Sequence, residues 1–422
     1  MNNPRLKRHP LSSASTFRTM SRRAKPRLSA ARIGLVAGLG ALVAGCASDA
    51  PQDTFDPAGP NAQKIQNLQV PVFIIAGVVG LVVLTFVAII IVKFRDRGQP
   101  IPEQTHGKPA LEIGLTILPA LILIGVAIPT VGTLMALNET NDTECIINVT
   151  GQQWWWEVDY TPQDGCGGIP EPIITSGQMV IPVDTPVLVR GTSRDVIHSW
   201  WIPRLNGKRD MVPGRVHTVR LQADEPGIYA GQCTEFCGLS HANMRMEVVA
   251  LTPEDFETWK EQQLAPYEAP EAGSLAATGE STFVAQCSRC HQVNGLEDAN
   301  GDPVIARPDL NVYSGAAPNL SYLMTRNTFA GASWDLLTEE CRKNVWESDP
   351  ETFGEKYLAG VTPECLNSVD LREWLRNAPA KKPMYTNPTE LEETNGLPRG
   401  MPNLALSEDQ IDELIAYLLE RN

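Results

Sequence analysis

Along this chain the spacing of apolar positions changes three times, and each change predicts a different kind of element. Residues 70–92 run for 23 residues without a charge. At 1.5 Å per residue, a helix of that length crosses the hydrocarbon core of a bilayer. A second apolar run, 111–137, is interrupted by Glu112, Pro119 and Pro129. From Cys145 to about Leu251 the pattern shifts to short β-rich runs between Gly and Pro, among them IINVT, WEVDY, MVIPV, HTVRLQA and MRMEVVAL. Many short strands with frequent turn signals predict a sandwich or barrel. TPEDFETWKEQQ then predicts a helix, with Thr252 as N-cap and Pro253 at its first position. The stretch PYEAPEAGS at 266–274 reads as a flexible interdomain linker. Beyond it the strand pattern vanishes: GESTFVAQCSRCH, DLREWLRN and SEDQIDELIAYLLE look helical, and Ser407 with Gln410 predicts a capping box.

Charge orients the two apolar runs. The loop between them carries Lys93, Arg95, Arg97 and Lys108, whereas the flanks at 46–69 and 138–156 hold only Lys64. The positive-inside rule places the loop in the cytoplasm and both flanks outside. Residues 70–137 are therefore expected to form a transmembrane hairpin, with everything after about 138 external. The first 45 residues hold nine Lys/Arg and no acid, and run into IGLVAGLGALVAGC. A charged head, a short apolar stretch and small residues predict a secretory signal. Its tail VAGC resembles a bacterial lipobox, which implies a lipoprotein signal over 1–45, acylation of Cys46 and an external segment over 46–69. Without that leader, 26 basic residues face 49 acidic ones, a net charge of −23. So acidic a body repels nucleic acid and steers basic partners.

The nine cysteines divide by motif. Cys46 belongs to the lipobox, Cys233 and Cys237 to QCTEFCGLSHANM, and Cys287 and Cys290 to CSRCH. Cys145, Cys166, Cys341 and Cys365 remain. In an oxidising compartment the natural pairing is two local disulfides, Cys145–Cys166 and Cys341–Cys365. Four cysteines nonetheless permit three connectivities.

Soft ligands concentrate in QCTEFCGLSHANM, and DVIHSWWIP supplies His198, 35 residues before Cys233. Two imidazoles, one thiolate and a weak thioether would make a blue-copper site, but here there are two thiolates. The C-x₃-C spacing is poor for a structural zinc knuckle. A Cys233–Cys237 disulfide is the bland alternative. Two bridging thiolates could instead hold two copper ions, each completed by one histidine, with Met244 on one and the Glu235 carbonyl on the other. So saturated a site leaves no open position for substrate and suits an electron relay.

DVIHSWWIPRLNGKRDMVPGR and YAGQCTEFCGLSHANM together resemble the copper-binding domain of cytochrome c oxidase subunit II. ALEIGLTILPALILIGVAIP is similar to that family's second helix. The resemblance implies a cupredoxin-like β-sandwich over 138–265. It implies a binuclear copper A centre on His198, Cys233, Cys237, His241, Met244 and the carbonyl of Glu235. The Glu235 carboxylate would reach a Mg or Mn ion shared with subunit I, and Glu112 would stand at the mouth of a proton channel. Leu115 replaces a tryptophan often found in that helix. In GQQWWWEVDY, period-2 geometry puts Trp154 and Trp156 on one face and Trp155 on the other. The family uses this position as an aromatic patch, which makes Trp154 the expected point where electrons enter.

CSRCH is the covalent attachment pattern for c-type heme, with thioether bonds at Cys287 and Cys290 and proximal His291. A redox dithiol is the alternative, but no βαβ context accompanies it. RGMPNLALSEDQIDELIAYL places Met401 just before the last helix, an arrangement that resembles class I cytochrome c domains. Met401 is thus the expected sixth ligand, with Met384 in KKPMYTN as its rival. The insert containing Cys341 and Cys365 is longer than that family usually shows. Arg326 could pair with a heme propionate or be a solvated arginine. His106 and His217 lack ligand spacing and read as structural.

The expected whole is a membrane-anchored multi-domain protein: a two-helix transmembrane hairpin, a cupredoxin-like β-sandwich, a linker, and an all-α cytochrome c domain over 275–422. By resemblance it would be subunit II of a proton-pumping cytochrome c oxidase on a bacterial cell membrane. It would partner subunits I and III and an upstream cytochrome c or cytochrome bc complex, with no nucleic acid. Its cofactors would be binuclear copper, heme c and Mg or Mn. The linker would hold the heme donor at high effective concentration. The electron-accepting subunit of a copper A-type nitric oxide reductase would look similar. A quinol oxidase subunit would lack the copper ligands, and a copper-delivery module would not need the membrane helices.

Overall fold

In the computed structural model, residues 50–98, 103, 106–140, 145–162, 166–296, 317–386 and 399–420 are described. The expected signal over 1–45 and its Cys46 lie outside these residues.

Helix α1, Pro60–Lys93, and helix α2, Pro109–Leu137, are long and apolar enough to cross a membrane. Their large apolar side chains point outward, as lipid-facing residues do, and α2 continues through Pro119 and Pro129. Hydropathy predicts α1 only from Val70, yet the helix begins at Pro60. The added turns are polar, so no apolar run marks them. They are held instead by the β-domain: the Asn61 side chain donates to the Arg220 carbonyl at 3.0 Å, and the Ala62 amide to Leu205 at 3.2 Å.

The next ten strands are β1 Cys145–Gln152, β2 Trp155–Tyr160, β3 Ile173–Ser176, β4 Gln178–Pro182, β5 Val187–Ser193, β6 His198–Trp200, β7 Arg209–Met211, β8 His217–Leu221, β9 Gly227–Gln232 and β10 Arg245–Leu251. They make a β-sandwich of a β3-β2-β1-β5-β8 sheet and a β4-β10-β9 sheet, with β6 and β7 paired separately. Along β1 the burial alternates, with Cys145, Ile147 and Val149 inward. The Tyr160 hydroxyl ties the two sheets together, donating to the Val180 carbonyl at 2.8 Å and accepting from its amide at 2.7 Å. Strand β4 is buried along its whole length and β10 from Met246 onward, because the C-terminal region covers their outer face.

That region follows helix α3, Pro253–Gln263, capped by the Thr252 hydroxyl. It comprises α4 Leu275–Gln286, a short pair β11 Thr328–Phe329 and β12 Trp334–Asp335, then α5 Glu339–Trp346, α6 Pro350–Leu358, α7 Ser368–Lys381 and α8 Glu408–Leu419. Ser407 and Gln410 form the capping box of α8. Helices α4 and α8 cross closely at Gly279, where a β-carbon would run into the Glu413 carbonyl, and the rings of Phe283 and Tyr417 lie 5.5 Å apart. Cys145 is bonded to Cys166, and Cys341 to Cys365.

Two expectations change here. The C-terminal region is not purely helical, because β11 and β12 form a hairpin turned by Ala330, Gly331 and Ala332, all at positive φ. Two-residue strands carry no readable period, so the sequence does not mark them. The turn persists because it is clamped onto the sandwich: the Arg245 amide donates to Gly331 at 2.9 Å, and the Ser333 hydroxyl to Asn243. Nor do residues 266–274 behave as a loose tether. Tyr267 donates to Glu280 at 2.6 Å and packs against Gly295.

The C-terminal region is docked through a buried polar seam. Gln178 of β4 donates to Glu247 of β10 at 2.6 Å, and Thr328 reaches the same carboxylate at 3.4 Å. Arg326 donates to Ser176 at 2.9 Å, and Gln263 to Thr325 at 3.1 Å. Burial pushes the Glu247 carboxyl up to about 7.

Candidate functional site

One end of the sandwich gathers the soft ligands. Strand β6 carries His198 inward, and the loop after β9 carries Cys233 and Cys237. Both cysteines are free and buried, and their sulfurs lie 3.8 Å apart, far beyond disulfide length. His198 Nδ1 is 3.9 Å from Cys233 Sγ, and His241 Nδ1 is 3.5 Å from Cys237 Sγ. Met244 Sδ is 3.8 Å from Cys237 Sγ, and the Glu235 carbonyl oxygen is 3.3 Å from Cys233 Sγ. Among the described residues, His198, Cys233 and Cys237 form the group compact enough to hold a metal ion. Glu235 is exposed, as is its neighbour Phe236.

Electrostatics separates the members of this cluster. A hydrogen bond from Cys237 holds the Cys233 thiol well below its usual range, with help from His198. Burial disfavours a charged His198, but Asp195 and Cys233 outweigh it and raise its pKa. Asp195 Oδ1 sits 2.9 Å from His198 Nε2, which leaves Nδ1 for the sulfur side. A carboxylate on the far nitrogen fixes the tautomer and orientation of a metal-binding imidazole. Burial raises the Asp195 pKa, yet the hydrogen bond with His198 and the Gln153 and Val196 amides bring it below the usual range. Sequence reasoning missed Asp195, although its position three residues before His198 was a usable signal.

A second concavity lies between the sandwich and the C-terminal region. It is a cavity of about 1110 Å³, with Cys287, Cys290 and His291 on its wall and both Met384 and Met401 among its lining. Cys287 and Cys290 are free, and the His291 Nδ1 lies 2.7 Å from the Pro318 carbonyl. That bond leaves Nε2 as the available ligand atom. The described lining holds Arg194, Arg289, Arg326, Lys382 and Arg399 and no carboxylate. Arg326 is buried, so the solvated-arginine reading fails; it donates to the carbonyls of Asn319 and Ser321, and its Nε has no partner. Burial pushes Lys382 down to about 7.

The tryptophan run joins the two places. Strand β2 begins at Trp155, so Trp154 falls in the preceding turn and the period-2 expectation fails. Trp156 packs into the core 5.1 Å from Trp200, while Trp154 and Trp155 line the cavity. The Trp154 indole donates to the Cys237 carbonyl at 3.0 Å, and its ring lies 5.2 Å from Tyr385. Trp154 is only 2% exposed, so its ring makes no direct surface contact with solvent. Glu112 sits exposed in the first turn of α2 and joins neither the sulfur cluster nor the cavity.

Two membrane-length helices ahead of a β-sandwich with this soft-ligand cluster define a membrane-anchored, metal-binding electron-transfer subunit. Residues 145–251 match the family described as cytochrome c oxidase subunit II, periplasmic domain, and residues 49–132 match its transmembrane domain. Cytochrome c oxidase subunit 2 of Alkalihalophilus pseudofirmus is 36% identical over 288 residues, covering 66% of this chain and 81% of that protein. The chain therefore belongs to the cytochrome c oxidase subunit II family, and its periplasmic domain implies copper A. Among solved structures, the periplasmic domain of subunit II from Bradyrhizobium japonicum is 28% identical, spans 30% of this chain and 96% of its own, and has a TM-score of 0.27. A heme–copper terminal oxidase dimer is 22% identical over 33% of this chain and 99% of its own, with a TM-score of 0.25. Overlaps this partial carry no argument. Both family matches end by residue 251, so the region beyond is read from its own residues.

Proposed function

We propose that this chain is the electron-accepting subunit of a proton-pumping cytochrome c oxidase and carries its own covalently bound heme c donor. Electrons would pass from an upstream cytochrome to the C-terminal region, then to the copper domain, then to subunit I, where oxygen is reduced to water. The observation that carries this reading is Trp154, whose indole bonds the Cys237 carbonyl while its side chain lines the CSRCH cavity.

The residues fit both groups. Copper A would be held by His198, Cys233, Cys237, His241, Met244 and the Glu235 carbonyl, a donor set soft enough for two copper ions. Bound there, the copper pair supplies a one-electron carrier whose shared charge needs little geometric change. Asp195 orients His198, and burial of the thiolates excludes water. For heme c the cavity offers two free thiols, an imidazole with its far nitrogen already bonded, apolar walls, two thioethers and buried cations. Heme c bound there would supply a second one-electron carrier, whose potential a methionine ligand would raise. Met401 is the distal ligand we assign, with Met384 on the same cavity as the alternative.

The remaining assignments rest on the resemblance. The Glu235 carboxylate points to the surface, where a Mg or Mn ion shared with subunit I would bind. Glu112 would open a proton path at the cytoplasmic end of α2. Residues 1–45 would be a lipoprotein signal and Cys46 the lipid anchor. Subunit III and a cytochrome bc complex are the further partners.

The test is rapid reduction of the purified oxidase by a substoichiometric donor. Heme c should reduce first, followed by copper A at a rate independent of protein concentration. Copper A reducing before or without heme c would refute the internal relay.

A further inference from the structure

Among the cations lining the cavity, Lys382 is held in an unusual way. Its side chain is 3% exposed, and its ammonium donates to the Trp154 carbonyl at 2.8 Å and the Ala330 carbonyl at 2.7 Å. An ammonium has three N–H donors, so one remains. Among the described residues no carboxylate lies within ion-pair distance of it. A buried charge without a counter-charge is strongly disfavoured unless something supplies one. Arg326 shares this condition on the same cavity: it is 4% exposed, has only neutral partners, and leaves its Nε unbonded. Arg194 and Arg399, by contrast, face Glu157 and Asp195.

Two buried cations without anionic partners among the described residues face one cavity, and a heme brings two propionate groups. We infer that Lys382 anchors one of these propionates, and that through the Trp154 carbonyl it ties that edge of the heme to the tryptophan whose indole bonds the copper-ligand loop; the inference rests on the heme c reading above. The segment carrying Lys382 is suited to this. The Ser240 hydroxyl, next to His241, donates to the Pro383 carbonyl, and Tyr385 packs on Trp154. Residues 382–385 are thus pinned to the copper-ligand loop on one side while Met384 lines the cavity on the other. Arg326 takes the second propionate. No bond is made or broken in this contact; it sets the position and the electrostatic surroundings of the heme edge nearest Trp154.

The test uses the full-length chain, matured in a heme c-assembling host and purified in detergent, as wild type, Lys382→Gln and Lys382→Arg. Glutamine, one atom shorter, keeps an NH₂ donor and removes the charge; arginine keeps the charge. Covalent heme per chain is measured first, then the heme midpoint potential and the propionate carboxylate bands in redox-difference infrared spectra. The expected result is one heme in all three. Lys382→Gln should lower the reduction equilibrium constant about tenfold, 59 mV for one electron, and shift a carboxylate band. Lys382→Arg should restore the potential, with a carboxylate band shifted to its own position because a guanidinium replaces the ammonium at the propionate. Heme present in Lys382→Gln with unchanged potential and bands would overturn the inference, leaving Lys382 as a bolt between two carbonyls. If Lys382→Gln does not fold, Lys382→Arg against wild type decides: its carboxylate band moves if the side chain touches a propionate and stays if it does not. Absence of covalent heme from the wild type would instead overturn the heme reading itself.

Discussion

Asp195 shows how a side chain with no donor atom among the sulfurs sets the site. By holding His198 Nε2 at 2.9 Å it decides which nitrogen faces Cys233. Asp195→Asn should therefore weaken copper binding about 10–100-fold while leaving the C-terminal region intact, as read by competition with a chelator. Unchanged affinity would mean that packing alone orients the ring. Glu247 makes a prediction about pH. Its folded-state carboxyl is raised from 4.5 to about 7, chiefly by burial. A raised pKa contributes stability that is full below the unfolded value and is lost as pH rises through the folded one. The dock should therefore weaken between about pH 4.5 and 7, by of order 3 kcal/mol. Chemical denaturation across that range should show the slope in the wild type and its loss in Glu247→Gln. The soft-ligand cluster proposed for copper was legible in the sequence because five of its six members sit within one thirteen-residue stretch. Glu247 and Lys382 were not, because each acquires its role only from partners far away in the chain, and Asp195, though three residues from His198, carries no ligand atom to mark it.

Elements were legible where a strong local signal stood alone. The two membrane-length runs, the Thr252 cap and the Ser407 capping box all follow from residue order. The first turns of α1 did not, because their support comes from Arg220 and Leu205. The β11–β12 hairpin escaped for a similar reason, since its turn is stabilised by Arg245 and Asn243 of the sandwich. The α4–α8 crossing depends on the missing side chain of Gly279. Gly279→Val should cost about 1–3 kcal/mol through overpacking, seen as a lower melting temperature of the C-terminal region. No loss would mean that the helices can separate freely. Replacing Cys341 and Cys365 together by alanine should cost about 3 kcal/mol on the chain-entropy view. The same melting experiment checks it, with Gly279→Val expected to act independently.

At the scale of the whole molecule the C-terminal region is seated on the sandwich rather than swinging from a linker. The seam of Gln178, Glu247, Thr328 and Arg326, and the tie of Tyr267 to Glu280, leave residues 266–274 little to do as a tether. Composition alone suggested a flexible connector, because Pro, Glu and Gly mark a linker without saying whether its two sides dock. The cavity and the sulfur cluster then become neighbours joined by buried Trp154. The most direct test is the paramagnetic resonance spectrum of the oxidised, copper-loaded full-length chain, quantified against its covalent heme. The expected result is two coppers per heme, with one unpaired electron shared equally between the two coppers and a separate low-spin heme signal. A single localised copper, or copper without covalent heme, would contradict the account.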